Sequence, residues 1–269
     1  MELDCAESKP TSKHTTNIGS LGKGLRLIQL LADASVPLTL TQLALMGGYD
    51  PSTTHRVLQM LVKEEWACRT STKRYSAGPN ALAHLAPWHP VNSYRRESSH
   101  LLESLHAELG ETVALILYVG NARILIESIH GRLSMSPFYS TRLQTPLGGS
   151  ASGKILLAVR SPSQRDSLLR EKVIGNQRAA KPEDLEKDLR VLEINGYVVS
   201  RDEAYPGIVA IGSPIDFENT RVGCVVMTAK SSFIPASREK ECGEKLHNTA
   251  RLIETTVPSV RNIVGYLFG

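Results

Sequence analysis

"LTLTQLALMGGYDPSTTHRVLQMLVKEEW", residues 38–66, decides how the first third of this chain is read. Thr39 followed three residues later by Gln42 is a capping-box pattern, which predicts a short helix running through Met46. Gly47-Gly48 then supplies the positive-φ turn that lets a chain reverse sharply. Asp50-Pro51 restarts a helix in the favoured order, Asp as N-cap and Pro at the first helical position. In that second helix Val57, Leu58, Leu61 and Val62 recur at helical spacing and are expected to face a core. Ser52, Thr53, His55, Arg56, Gln59 and Lys63 fall on the other side or at the helix start. Hydroxyls and amides reach base edges or phosphates, and Arg can bridge guanine with two hydrogen bonds. A solvated polar face is the plain alternative, and the flanking segments argue against it.

Upstream, Asn17 or Ser20 can cap a first helix with Leu21, Leu25, Ile28, Leu31 and Ala32 along one face, ended by Pro37. Lys23 on this helix joins the candidate DNA contacts. Downstream, "WACRTSTKRYSAGP" reads as two short strands, Trp66–Arg69 and Arg74–Ala77. Thr70–Lys73 joins them, and Arg69, Lys73 and Arg74 sit at the tip. A basic hairpin directly after a recognition helix is the wing of a winged helix-turn-helix, which follows the DNA backbone or minor groove. Charge agrees: Thr11 to Asn80 holds eight Lys/Arg against four Asp/Glu, an excess equal to the whole chain's net +4. A small basic unit ahead of a near-neutral larger one suits a polyanion-binding module with a second domain attached.

The 269 residues fit one large domain or two modest ones, with 41% hydrophobic and 22% charged content, ordinary for a chain that buries a real core. No window approaches the ~18 uninterrupted apolar residues of a membrane span. "MELDCAESKPTSKHTTN" is polar with mixed charge and lacks an apolar stretch, so residues 1–17 are expected to be a disordered leader rather than a secretory signal. Cysteines 5, 68, 224 and 242 are scattered, without a CxxC pair or a histidine at ligand spacing. That pattern opposes a zinc site or a disulfide framework and suits a reducing cytoplasm.

"PNALAHLAPWHP", residues 79–90, reads as a short helical connector bounded by prolines, where His84 and His89 are taken as packing or surface histidines. "SYRRESSHLLESLHAELG" is a long amphipathic helix carrying Leu101, Leu102, Leu105 and Leu109, stopped by Gly110. The stretch from Pro79 to Gly110 is the expected lever between the domains. "TVALILYVG" and "ARILIESIH" are strands paired around Gly120-Asn121. A helix over 182–195 turns Leu185, Leu189 and Leu192 inward, and Gly196 follows it. "YVVS", "GIVAIGSPID" and "RVGCVVMTA" are three more strands, and a last helix runs from about Pro235 to Thr256. Helices and strands interleave around an antiparallel sheet, an α+β layout.

One stretch invites a different reading. "LGGSASGKILLA", residues 147–158, spaces Gly148, Gly153 and Lys154 almost as a nucleotide-hydrolysing loop does. Such a loop needs Ser or Thr after its Lys to ligate Mg²⁺, and position 155 is Ile. It should also follow a buried apolar strand, whereas "YSTRLQTPLGG" is polar and interrupted by Pro146. ATP binding is therefore not expected. The small residues still let a ligand approach the backbone, and free N–H groups at a helix start favour an anion. A tight helix start with glycines for packing is the plainer alternative.

Four pieces in order resemble the IclR family of bacterial transcription regulators: "DPSTTHRVLQML", "GETVALILY", "TPLGGSASGKILLA" and "YVVSRDEAYPGIVAIGSPI". The resemblance spans the chain from about Ile18 to the last helix. It implies a winged helix-turn-helix, a linker helix and a GAF-like α/β effector-binding domain. It also implies a homodimer or dimer of dimers that controls a catabolic operon in response to a small organic acid. The effector site it implies falls on Ser150, Ala151, Ser152, Ser200, Ala210, Met227 and Ala229. This chain departs from the family by carrying Gly148 and Gly149 where His and Ala are usual. It also lacks acidic and thiol groups at several pocket positions where relatives that bind short polar acids carry them. A pocket with Ala, Ala and Met among its walls points to a larger, more apolar effector, an aromatic carboxylate, with its charge at the 150–152 amides.

The expected organisation is a leader over 1–17, a DNA-binding domain over 18–79, a linker helix over 80–92 and an effector domain over 93–269. The expected function is a sequence-specific cytoplasmic regulator, a repressor, that binds a pseudo-palindromic double-stranded operator, with no cofactor, metal or catalytic residue and no membrane contact. Two other classes stay in view: an enzyme or nucleotide-binding protein using Gly148–Lys154, and a ligand-sensing adaptor whose helix-turn-helix only dimerises. The first lacks GxSxG, HExxH or an ordered Ser/His/Asp set. Lys154, Asp202 and Glu203 are available acids and bases, and structural ion pairs explain them as well.

Overall fold

The structure, a computed structural model, describes residues 19–82, 85–132, 141–170 and 182–268, in two compact units that divide between residues 84 and 85. The leader over 1–17, Asn17, Cys5 and His84 lie outside the described residues.

The first unit holds α1 (Ser20–Asp33), α2 (Leu40–Gly47), α3 (Pro51–Lys63), β1 (Ala67–Arg69), β2 (Tyr75–Ala77) and α4 (Pro79–Leu82). The local signals act as expected in α2 and α3. Thr39 and Gln42 form a reciprocal capping box. Gly48 ends α2 at φ 71°, donating its N–H to Ala44 and Leu45 carbonyls. Asp50 caps α3 with Pro51 at its first position. Leu27, Leu31, Leu43, Val57, Leu58, Ala67 and Tyr75 meet in one core. The first helix corrects the sequence reading. Leu21 and Leu25 are 77% and 59% exposed, Ala32 is exposed, and Ser20 is the first helical residue behind an N-cap at Gly19. The buried stripe is instead Gly24, Leu27, Leu30 and Leu31. A Cβ on Gly24 would sit 3.8 Å from Val57 and 3.9 Å from Leu61, so the glycine seam is where α1 meets α3. A reading that counts only large apolar residues misses that seam. Leu38 also pairs with Tyr75 in both directions (2.8 and 2.7 Å), adding one more bridge beside the hairpin.

The second unit begins with α5 (Pro90–Leu109), capped by His89 and ended by Gly110 at φ 70°. The expected lever is therefore not one helix from Pro79 to Gly110. α4 closes at Leu82, α5 opens at Pro90, and prolines 87 and 90 each lack the N–H a continuing helix needs. Next come β3 (Thr112–Val119), β4 (Ala122–Ile129), α6 (Ala151–Ala158), α7 (Pro162–Arg170) and α8 (Pro182–Asn195). The chain closes with β5 (Val198–Arg201), β6 (Ile208–Phe217), β7 (Thr220–Lys230), α9 (Glu239–Thr256) and α10 (Ser259–Leu267). The five long strands form one antiparallel sheet in the order β4-β3-β7-β6-β5.

Helices cover both faces of this sheet, which is why "VALILY" in β3 is apolar without alternation. On one face Leu102, Leu105, Leu246 and Ile253 from α5 and α9 pack on Val113, Leu115, Ile211 and Met227. On the other, Ala151 and Ile155 of α6 pack on Ile116, Tyr118, Cys224 and Val226. Two helices escaped the sequence reading. α7 is short and polar with only Leu168 buried, whereas α10 follows Pro258 and carries a legible stripe of Val260 and Ile263. The expected helix from Pro235 to Thr256 is a 3₁₀ turn, Ala236–Arg238, followed by α9.

Candidate functional site

α3 presents two faces. Thr54, Val57 and Leu58 are buried, while Ser52, Arg56, Gln59 and Lys63 are exposed and Thr53 and His55 half-buried. The helix start is locked: Asp50 accepts hydrogen bonds from the Thr53 N–H (2.8 Å) and the Ser52 hydroxyl (2.7 Å). Those bonds hold its carboxyl far below the usual Asp range. The Ser52 hydroxyl proton is thereby committed, so toward a ligand Ser52 can only accept. Among the described residues, the side chains of Arg56, Gln59, Lys63, Arg69 and Lys73 make no hydrogen bond or ion pair, so their donors remain available.

β1 and β2 pair Ala67 with Ala77, Cys68 with Ser76 and Arg69 with Tyr75. Thr70 closes the loop onto the Arg74 carbonyl at 2.8 Å, and Lys73 adopts φ 60° at the tip. Arg69 and Lys73 project freely. Arg74 is exposed too, but its guanidinium donates to the Pro37 carbonyl at 3.2 Å, which ties it to the base of the wing. Lys23 lies over the Tyr49 ring, 5.8 Å from its centroid.

A second feature lies where the start of α6 meets β5, β6 and β7. It is a recess of ≈ 470 Å³, open mouth included, lined by Thr145, Ser150, Ala151, Ser152, Ser200, Ala204, Tyr205, Ile208, Ala210, Val226 and Thr228. Five of the seven expected effector residues line it. Met227 and Ala229 do not line it. Successive strand residues point to opposite faces, so an offset of one residue along β7 separates these two from the recess. Met227 and Ala229 are buried in the core under α9, while Val226 and Thr228 face the recess. Register explains the grouping: Ser200 sits opposite Ala210, and Ala210 opposite Thr228, one cross-strand row. The walls are accordingly richer in hydroxyls than an Ala, Ala and Met lining implies.

The polar side of the recess has a buried cation behind it. Arg123 of β4 is 4% exposed, and its Nη1 donates to Thr145 Oγ1 (3.1 Å), Ser150 Oγ (2.8 Å) and Ser152 Oγ (3.1 Å). Its Nη2 also donates to the Thr145 carbonyl. An arginine just ahead of the apolar run Ile124–Ile126 was the available sequence signal, but its partners lie 22 to 29 residues away and emerge only on folding.

The glycine segment serves packing. A Cβ on Gly153 would fall 2.2 Å from the Leu147 carbonyl oxygen, so only glycine lets the preceding loop cross the helix. Lys154 is fully buried and bound to Asp188 (2.6 Å), Glu203 (2.7 Å) and the Val199 carbonyl (3.2 Å). It points into the protein and cannot cradle a phosphate. Asp202 accepts from the Gly207 N–H and the Ser231 hydroxyl, a loop-shaping role. His89 accepts from the Val91 N–H and meets Tyr266 edge-on at 4.8 Å, as a packing histidine does. Among the described residues no cluster of three His, Cys, Asp or Glu side chains could hold a metal ion, and no helix is long and apolar enough to cross a membrane. Cys68 is exposed, Cys224 and Cys242 are buried, and all three are free thiols.

A helix-turn-helix with a basic hairpin, carried on the same chain as a helix-clad antiparallel sheet, defines a DNA-binding regulator of transcription. The family comparison gives the particular kind. Residues 92–255 match the description "Bacterial transcriptional regulator IclR C-terminal" and residues 20–70 the description "IclR helix-turn-helix domain". The chain belongs to the IclR family, a family of transcriptional regulators rather than enzymes. It is 29% identical over 202 residues to HTH-type transcriptional regulator BhcR of Paracoccus denitrificans, covering 74% of this chain and 72% of that protein. It is 25% identical over 272 residues to Transcriptional repressor IclR of Escherichia coli, covering 93% and 94%. Its fold is similar to the crystal structure of an IclR homolog complexed with 4-hydroxybenzoate from Microbacterium hydrocarbonoxydans, at TM-score 0.73 and 20% identity over 91% of this chain and all of that one. Thermotoga maritima IclR is similar at TM-score 0.65 and 22% identity over 88% and 98%.

Proposed function

We propose that this regulator represses a catabolic operon and releases it when a small carboxylate, an aromatic one, occupies the recess at the start of α6. In this reading residues 18–79 bind DNA, 80–92 connect, and 93–269 sense the effector through a GAF-like domain. A homodimer or dimer of dimers sets two α3 helices in successive major grooves, about 34 Å apart, on a pseudo-palindromic operator. The observation that carries the reading is the exposed row of Arg56, Gln59 and Lys63, unpaired among the described residues and opposite the packed face of α3. Arg69 and Lys73 on the adjoining wing extend it with two more exposed cations.

Support for an acid effector comes from the recess: hydroxyls and a helix start on one side, Ile208, Ala210 and Val226 on the other. The Microbacterium hydrocarbonoxydans homolog, which shares the fold, was solved with 4-hydroxybenzoate, and the E. coli relative is named a repressor. The enzyme reading finds no support, because Lys154 is committed to Asp188 and Glu203.

The test is a footprint and salt titration on DNA upstream of the neighbouring genes. Arg56→Ala is expected to lose discrimination between operator and random duplex by about 1–3 kcal/mol. Lys73→Ala should weaken binding to both equally and reduce the salt slope by about 1. Equal loss of selectivity in the two variants would mean that the wrong side of α3 faces the bases.

A further inference from the structure

We infer that Arg123 is the positioning residue that makes the recess select anions over neutral molecules of the same shape, acting through the hydroxyls of Thr145 and Ser152. The inference rests on the proposal that the recess is the effector site, and it names the charge selection at that site. Proton accounting carries it. Arg is ionised at any working pH and has donors only. The two protons of its Nη1 are shared among three hydroxyl oxygens, those of Thr145, Ser150 and Ser152, all of which line the recess. A hydroxyl has one proton of its own. Ser150 donates its proton to the Pro146 carbonyl at 2.6 Å, and Ser200, across the recess, donates to the Gly149 carbonyl at 2.6 Å. The Thr145 and Ser152 hydroxyls have only Arg123 as partner among the described residues, and they accept from it. Their protons are left to point elsewhere, as donors polarised by a cation behind them.

The buried position makes this a charge effect rather than a shape effect. Lys154 of α6, also a buried cation, cannot serve a ligand because two carboxylates hold it. Arg123 is not part of the recess lining and stands behind the Thr145, Ser150 and Ser152 hydroxyls, so its role is to position them rather than to contact the ligand itself. A carboxylate seated against Thr145 and Ser152 gains two hydroxyl hydrogen bonds with a guanidinium directly beyond them. A carboxamide of the same outline has one acceptor oxygen and no charge, and its NH₂ group faces the same donors.

The test uses the full chain and two acid–amide pairs, benzoate with benzamide and pyruvate with pyruvamide, titrated by calorimetry. Wild type is expected to prefer at least one acid over its amide by about tenfold or more. Arg123→Gln and, independently, Thr145→Val should reduce that preference severalfold by lowering acid affinity more than amide affinity, and Arg123→Lys should restore part of it. A structural role alone would lower acid and amide binding together. The inference is overturned by that parallel loss, by wild type treating acids and amides alike or binding neither acid, or by unchanged preference in Thr145→Val, which keeps the arginine should Arg123→Gln fail to fold. If pyruvate shows the Arg123-dependent preference and benzoate does not bind, the aromatic reading fails while this one stands.

Discussion

Asp50 shows how much one side chain decides here. Its carboxylate satisfies the Thr53 N–H and the Ser52 hydroxyl, so it both starts α3 and sets the hydrogen-bonding role of the exposed Ser52. Asp50→Ala should lower the melting temperature by a few degrees, whereas Asp50→Asn, an equally good cap, should change it little. The pH dependence has a definite sign. The folded carboxyl lies below its ordinary 3.8, so its contribution is complete above that value and disappears as acid drives the pH down through the folded pKa. Melts of wild type and Asp50→Ala should therefore differ at pH 7 and converge in strong acid. This residue's role was readable in advance, because an Asp-Pro pair before an apolar-periodic run has one favoured geometry. Arg123 was not: nothing within a few residues of it reveals that Thr145, Ser150 and Ser152 will surround it.

At the scale of elements, two helical glycines that look alike in sequence are predicted to respond oppositely. A Cβ on Gly24 of α1 would meet Val57 and Leu61 at ordinary contact distance, 3.8 and 3.9 Å. Gly24→Ala should stabilise by about 0.5–1 kcal/mol by removing backbone freedom from the unfolded chain. Gly153 of α6 has the Leu147 carbonyl oxygen 2.2 Å from where its Cβ would stand. Gly153→Ala should destabilise by about 1–3 kcal/mol and disturb the recess with it. Urea unfolding of both variants checks the pair. The capped helices α2, α3 and α8 were legible because their signals are local. The face of α1 was not, since a glycine seam carries no hydrophobic signature. The choice between Val226 and Met227 was not either, since strand alternation fixes two faces but not which one meets α6.

For the whole molecule, the proposed switch is a linkage between two bound states. An effector that lowers operator affinity through a coupling of about 1–3 kcal/mol must itself bind less tightly, by the same factor, when operator DNA is present. Effector titrations with and without operator duplex should show equal and reciprocal factors. Unequal factors at equilibrium would mean that the two ligands do not share one linkage. The sequence by itself determined the order of the strands and of the helices other than α7 and α10, the capped turn-containing core of the helix-turn-helix, the basic wing and the inward leucines of α8. Each is set by periodicity or capping within about one helical turn or a few strand positions. Tertiary structure alone decided the sheet order, the side of β7 that meets α6, the inward turn of Lys154 and the hydroxyl cluster on Arg123. Those depend on register and on contacts across 22 to 49 residues of chain, where no local propensity reaches.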